Sequence, residues 1–187
     1  FRFVDVDGSG DIDLDKDRTV CGNYMPKFTY GFGGKLWYGG FDMDFNFQGV
    51  YGNKFMNLNQ RYIDSIEGNA NGTKIALDRW KSPENPGSGW VNRANRKQTG
   101  SNGRTSTWHL EGGSYLRLQN LALGYTLPRA FTQKFMVEKM RVYVSGQNLF
   151  TITNYSGYNP EVNARPSKNL TPGEDYGTYP LARTYMF

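Results

Sequence analysis

Phe41-Asp-Met-Asp-Phe-Asn-Phe-Gln-Gly-Val50 alternates an apolar side chain with a carboxylate or an amide, residue by residue. Phe41, Met43, Phe45 and Phe47 fall on one parity, Asp42, Asp44, Asn46 and Gln48 on the other. Successive side chains of a strand point to opposite faces, so this period of two predicts a strand with one aromatic face and one polar face. The run before it, Lys27 to Tyr38, repeats the pattern. There Phe28, Tyr30, Phe32, Leu36 and Tyr38 alternate with Thr29, Gly31, Gly33, Lys35 and Trp37. Between the two runs stands Gly39-Gly40, a two-residue connection that tolerates positive φ at both positions. The stretch is therefore a β-hairpin with two chemically different sides.

The totals agree with strands and turns. Of 187 residues, 13 are Tyr, 12 Phe and 23 Gly, a mixture suited to aromatic girdles and tight turns. A mean hydropathy of −0.67 leaves no long apolar run for a membrane helix. Membrane strands escape that test, because only every second residue need be apolar. The net charge of +5 is modest and no Lys/Arg run forms a nucleic-acid track. Cys21 is the only cysteine, which excludes a disulfide framework and a cysteine-ligated metal. His109, the only histidine, sits in a polar stretch without ligand spacing. No nucleophile–base pair with an orienting third group is apparent, so no enzymatic activity is expected.

Strands are expected at about 27–38, 41–51, 114–126, 139–151 and 178–187. Within Tyr115 to Tyr125 the phase changes: Leu116 and Leu118 lie on one parity, Leu121, Leu123 and Tyr125 on the other. A bulge accounts for such a switch. Arg129 to Lys139 is expected to hold a short helical turn. The connections 1–26, 52–113 and 152–177 are long and rich in Gly, Pro and amides, the last carrying Pro160, Pro166 and Pro172. The connections 39–40 and 126–139 are short. Long loops on one side and short turns on the other are the rule of outer-membrane barrels. The expected fold is thus all-β, the C-terminal portion of an antiparallel transmembrane β-barrel, with long extracellular loops and short periplasmic turns. About five strands do not close such a barrel, so the chain is expected to be a piece of a longer protein, with any targeting segment upstream.

Asp5-Val-Asp7-Gly-Ser9-Gly10 matches the first half of an EF-hand calcium loop, with glycine at the sixth position. Asp5, Asp7, Ser9, Asp11, Asp13 and Asp17 are the candidate ligands, and calcium the candidate ion. The twelfth position holds Lys16, with Asp17 one place later. An Asp/Gly turn closed by side-chain-to-backbone hydrogen bonds is the competing reading.

Several ordered motifs resemble the SusC/RagA-type TonB-dependent outer-membrane transporters. They are Asp5 to Asp13, Asp17-Arg-Thr19, Gly22-Asn23, Pro26 to Phe32, Phe47 to Asn53, Arg79-Trp80 and Pro83-Glu-Asn-Pro86. The series continues with Tyr115-Leu-Arg-Leu118, Asn120-Leu121, Gly124-Tyr-Thr-Leu-Pro128, Arg141 to Phe150, Gly157-Tyr-Asn-Pro-Glu161 and Asp175 to Pro180. The resemblance covers nearly the whole chain and matches the C-terminal end of that family's barrel. It implies a plugged barrel of roughly 22 strands, its plug and TonB-box lying outside this sequence. It further implies a multi-pass protein of a Gram-negative outer membrane that imports oligosaccharides or peptides with TonB-derived energy. Its implied partners are a SusD-like surface lipoprotein acting as a lid and a second transporter–lid pair.

On that reading Phe28, Tyr30, Phe32, Tyr38, Phe41, Phe45 and Phe47 face lipid or the interfacial girdles, and Asp42, Asp44, Asn46 and Gln48 face the lumen and plug. Trp80, Trp90, Trp108 and Tyr158 are the loop aromatics placed to stack on substrate or to meet the lid. Arg79, with Arg93 and Arg96, gives a basic loop. The rival reading is a soluble secreted β-sandwich that binds carbohydrate through calcium. A sandwich must cover its aromatic face with a second sheet; a barrel leaves that face to lipid.

Overall fold

The computed structural model describes residues 3–69, 71–97, 102–162 and 173–187. Most of the described regular structure is β: β1 Phe28–Tyr38, β2 Phe41–Tyr51, β3 Lys54–Asn57, β4 Leu110–Gly112, β5 Tyr115–Thr126, β6 Arg141–Thr153, β7 Glu174–Asp175 and β8 Thr184–Met186. Two short helices, α1 Leu58–Ile63 and α2 Arg129–Thr132, join them. The chain divides into two compact units. One comprises Tyr24–Lys54, Gly112–Val162 and Thr178–Phe187; the other comprises Phe1–Asn23, Phe55–Glu111 and Asn163–Gly177.

The first unit is a five-stranded sheet in the order β1-β2-β5-β6-β8, antiparallel throughout. Its hairpin closes at Tyr38↔Phe41 over Gly39 (φ 56°) and Gly40 (φ 88°). Positive φ at both positions matches the right-handed strand twist, which is why two glycines stand there. Between β2 and β5 the register passes from Asn46↔Asn120 to Phe47↔Leu118, leaving Gln119 as the extra residue. Between β5 and β6 it passes from Leu118↔Phe150 to Asn120↔Gln147, so Asn148 and Leu149 stand against the single Gln119 and β6 carries one extra residue. Asn148 takes φ 52° to do this.

The bulge resolves the leucine phase. Leu118 opposes Phe47, Leu121 opposes Phe45, Leu123 opposes Met43 and Tyr125 opposes Phe41, so both halves of β5 turn their apolar side chains to one face. Glycines let rings lie flat on this face: Tyr30 covers Gly49 and the Phe45 ring covers Gly34. Phe32 and Phe47 stack with centroids 4.8 Å apart, and cross-strand aromatic pairs of this kind contribute roughly 0.2–1 kcal/mol each. The face is nevertheless open: Phe32 is 53% exposed, Val142 59% and Ile152 62%. A sandwich would bury these side chains.

The opposite face is polar. Lys35 pairs with Asp44 across β1–β2 at 3.0 Å. Arg141 on β6 reaches over Gly124 of β5 to grip Asp42 of β2 with Nε and Nη2; a Cβ on Gly124 would occupy the guanidinium's path. Its fork matches the two carboxylate oxygens.

The expected turn in 129–139 is present, with α2 running into a 3-10 turn, Gln133–Phe135. The last strand, expected over 178–187, forms at Thr184–Met186 and pairs with Ser145–Gln147. Pro180 offers no backbone N–H to a ladder at its upstream end.

In the second unit, the region 55–111 is more than connecting loop. It holds α1 and 3-10 turns at Lys74–Asp78 and Thr107–His109, and its strands join β7 in the three-stranded sheet β4-β3-β7. β7 pairs parallel to β3 through Met56↔Glu174 and Asn57↔Asp175, a contact across more than a hundred residues that no local pattern announces. Pro166 and Pro172 of the 152–177 connection lie outside the described residues.

Candidate functional site

In the second unit the acidic loop is held by its own backbone. Asp5 accepts N–H groups from Gly8 (2.7 Å) and Ser9 (3.2 Å) on Oδ1 and from Gly10 (2.7 Å) on Oδ2. Asp17 accepts from Val6 (2.7 Å) on Oδ1 and from Asp13 (2.6 Å) on Oδ2. Donors that prefer the charged form keep both carboxyls below their ordinary range, chiefly the Gly10 N–H for Asp5 and the Val6 N–H for Asp17. Asp5, Asp7 and Asp17 each place an oxygen within 4.8 Å of the others. Of the five candidate carboxylates, these three converge. Ser9 Oγ instead donates to the Asp11 carbonyl (3.1 Å), and Asp13 Oδ1 accepts the Asp15 N–H (2.7 Å).

The loop aromatics of the same unit meet because the chain doubles back. Trp80 N donates to the Val91 carbonyl at 3.2 Å, closing the segment between them around Gly87 (φ 62°). A Cβ at Gly87 would strike the Asp78 carbonyl. Trp90, 65% exposed, stacks on Trp108 with centroids 6.4 Å apart and an interplanar angle of 22°. The Arg93 guanidinium lies 5.6 Å from the Trp80 ring, a cation–π contact. Arg79 turns away, donating to the Ala76 carbonyl at 3.2 Å, so Arg93 is the basic partner of Trp80. His109, at the end of the 3-10 turn that carries Trp108, is buried, and its Nδ1 accepts the Ser106 N–H at 3.2 Å. Burial pulls the imidazole below its ordinary value.

Tyr158 belongs to the sheet unit, on the segment after β6, and is 79% exposed. Beneath it lies a network that reading the sequence did not single out. Arg117 of β5, with a side chain only 5% exposed, donates to Thr151 Oγ1 (3.0 Å), Glu161 Oε2 (2.7 Å) and Asn159 Oδ1 (3.2 Å). The Tyr115 hydroxyl donates to Glu161 Oε1 at 2.7 Å, and the Arg117 guanidinium sits 4.9 Å from the Tyr115 ring. One signal was available: Arg117 is a lone cation between leucines inside a strand, and such a charge needs a partner.

No family model matches the chain. Over 187 residues it is 39% identical to TonB-dependent receptor P3 of Formosa agariphila, covering 98% of this chain and 18% of the relative. It is 28% identical over 185 residues to TonB-dependent receptor SusC of Bacteroides thetaiotaomicron, covering 98% of this chain and 17% of that one. Among solved structures it is similar to a chain of the RagAB peptide importer in its closed-closed state, with TM-score 0.73 and 27% identity over 97% of this chain and 19% of that one. The open-open state of the same importer gives TM-score 0.71 and 26% identity over 94% of this chain and 18% of that one. The chain thus spans less than a fifth of the length of these relatives.

Proposed function

The chain being of the SusC/RagA TonB-dependent receptor type, we propose that it forms the C-terminal part of a plugged outer-membrane barrel of roughly 22 strands. The whole protein imports oligosaccharides or peptides by binding and gated passage, with no bond made or broken. It works with a SusD-like surface lipoprotein and draws energy through TonB. Transporter and lid assemble as a pair, and two pairs as a dimer.

The observation that carries this reading is the exposed apolar face kept continuous across β1, β2, β5 and β6 by the bulge at Gln119. These strands have 11, 11, 12 and 13 residues, and a bilayer core needs about 9–11 residues of tilted strand. Hydrocarbon covers such a face at no desolvation cost, and the interior strands satisfy each other's backbone groups along their paired stretches. Gly39-Gly40 and the α2 connection then lie on the periplasmic side. Trp80, Trp90, Trp108 and Tyr158, with Arg79 nearby in sequence, lie on the outside, where cargo and lid arrive. Asp5, Asp7 and Asp17 are taken as the place for a calcium ion, whose hard charge suits carboxylate oxygens.

Outer membranes from cells making the full-length parent protein test this. In mild detergent its electrophoretic band is expected to shift on boiling, with a lipoprotein co-purifying. A soluble protein with no heat shift overturns the membrane reading and leaves the calcium-dependent sandwich in its place.

A further inference from the structure

We propose that Arg117 is a positioning residue, which clamps the segment after β6 so that Tyr158 stands out as a fixed knob for a pocket on a protein partner. The inference rests on the transporter reading above and names a contact within it.

The segment 153–161 is tied down at nearly every turn. Thr153 Oγ1 donates to the Ser114 carbonyl at 2.9 Å and accepts the Tyr155 N–H at 3.1 Å. Tyr155 is buried, with its ring over Gly157, where a Cβ would overlap it. Asn159 is buried, its Oδ1 accepting both Arg117 Nη2 (3.2 Å) and the Glu161 N–H (3.1 Å). Glu161 closes the segment onto Arg117 and Tyr115. Tyr158 alone among these rings is turned out, at 79% exposure.

With Arg117 buried and Glu161 36% exposed, the ion pair adds little stability over a packed apolar contact; what it supplies here is one fixed conformation of the segment. Arg117 engages three residues with a rigid fork, an arrangement a flexible side chain would not impose. The conformation so specified leaves a large aromatic in water. Sites for small cargo are concave and enclose most of the ligand. Tyr158 has the opposite shape. Tyrosine is enriched among interface anchors, has few rotamers to freeze, and binds better when held in place beforehand. The complementary surface is an apolar pocket with a hydrogen-bond acceptor at its base for the phenol.

The test uses the full-length parent purified with the lipoprotein that accompanies it. Tyr158→Ala is expected to lower lipoprotein retention about tenfold or more, as loss of an anchor does, whereas Tyr158→Phe keeps most of it. Glu161→Gln removes the charge and leaves one acceptor oxygen for the two donors, Arg117 and the Tyr115 hydroxyl. It is expected to lose retention while the heat shift stays intact, and to weaken photo-crosslinking to the lipoprotein from p-benzoylphenylalanine placed at position 158. Arg117→Met should behave likewise; if it fails to assemble, Glu161→Gln carries the test. Retention unchanged in Tyr158→Ala, or crosslinking unchanged in Glu161→Gln, overturns the inference while leaving the transporter reading standing. If the wild type brings down no lipoprotein, both fall.

Discussion

A methyl group at position 49 has nowhere to go, because the Tyr30 ring lies across Gly49 and its hydroxyl donates to the Tyr115 carbonyl at 3.2 Å. Gly49→Ala is expected to lift that ring and cost about 1–3 kcal/mol, as overpacking does. A lower temperature for loss of the compact electrophoretic form of the parent protein would report it. His109 makes a different demand. Burial disfavours its imidazolium, so the unfolded chain binds the proton more readily than the folded one. The stability of its unit is therefore whole above the ordinary histidine value of about 6.5 and declines as pH falls below it. The thermal unfolding midpoint of this unit is expected to be lower at pH 5 than at pH 7.5, and His109→Gln to narrow the difference. Asp5, Asp7 and Asp17 bring three charges together. If calcium answers them, added calcium slows proteolysis of residues 3–23 and Asp17→Asn abolishes the effect. Wild-type protein indifferent to calcium leaves the backbone N–H bonds as the complete account of this loop.

β5 shows how one residue can decide which way an element faces. The sequence announces a change of phase between Leu118 and Leu121. It does not say that Gln119 is the extra residue, or that Asn148 and Leu149 of β6 adjust beside it, since a bulge is a relation between paired strands. Deleting Gln119 would only remove the extra residue and leave the leucines of β5 in one unbroken alternation opposite β2, whereas deleting Asn46 from β2, which pairs with β1 without a bulge, shifts one half of that strand by one place and turns its rings to the wrong side. The Asn46 deletion is expected to abolish the heat-modifiable band, while Asn46→Ala, which keeps the residue count, retains it. The long polar stretches hid their order for a related reason. α1, β3 and β7 are too short to carry a periodic signal, and the parallel pairing of β3 with β7 arises from the path of the chain.

Across the whole molecule, neighbours in sequence meet different surroundings. Leu121 opposes Phe45 and Gly146 on the apolar face, whereas Asn120 opposes Asn46 and Gln147 on the polar face. Leu121→Lys is therefore expected to cost about 2–4 kcal/mol if that face meets lipid near the bilayer centre, and Asn120→Lys much less. Comparing the yields of heat-modifiable protein checks this, and equal yields would count against the lipid reading. The hairpin, its two faces and the positions of its turn were determined by the sequence alone, because strand alternation and glycine's φ are properties of the local chain. Trp90 against Trp108, Arg93 rather than Arg79 over Trp80, and Arg117 closed on Glu161 44 positions away were decided only by the tertiary structure. Those contacts depend on register and on where each loop returns, and neither is written in the spacing of the residues that meet.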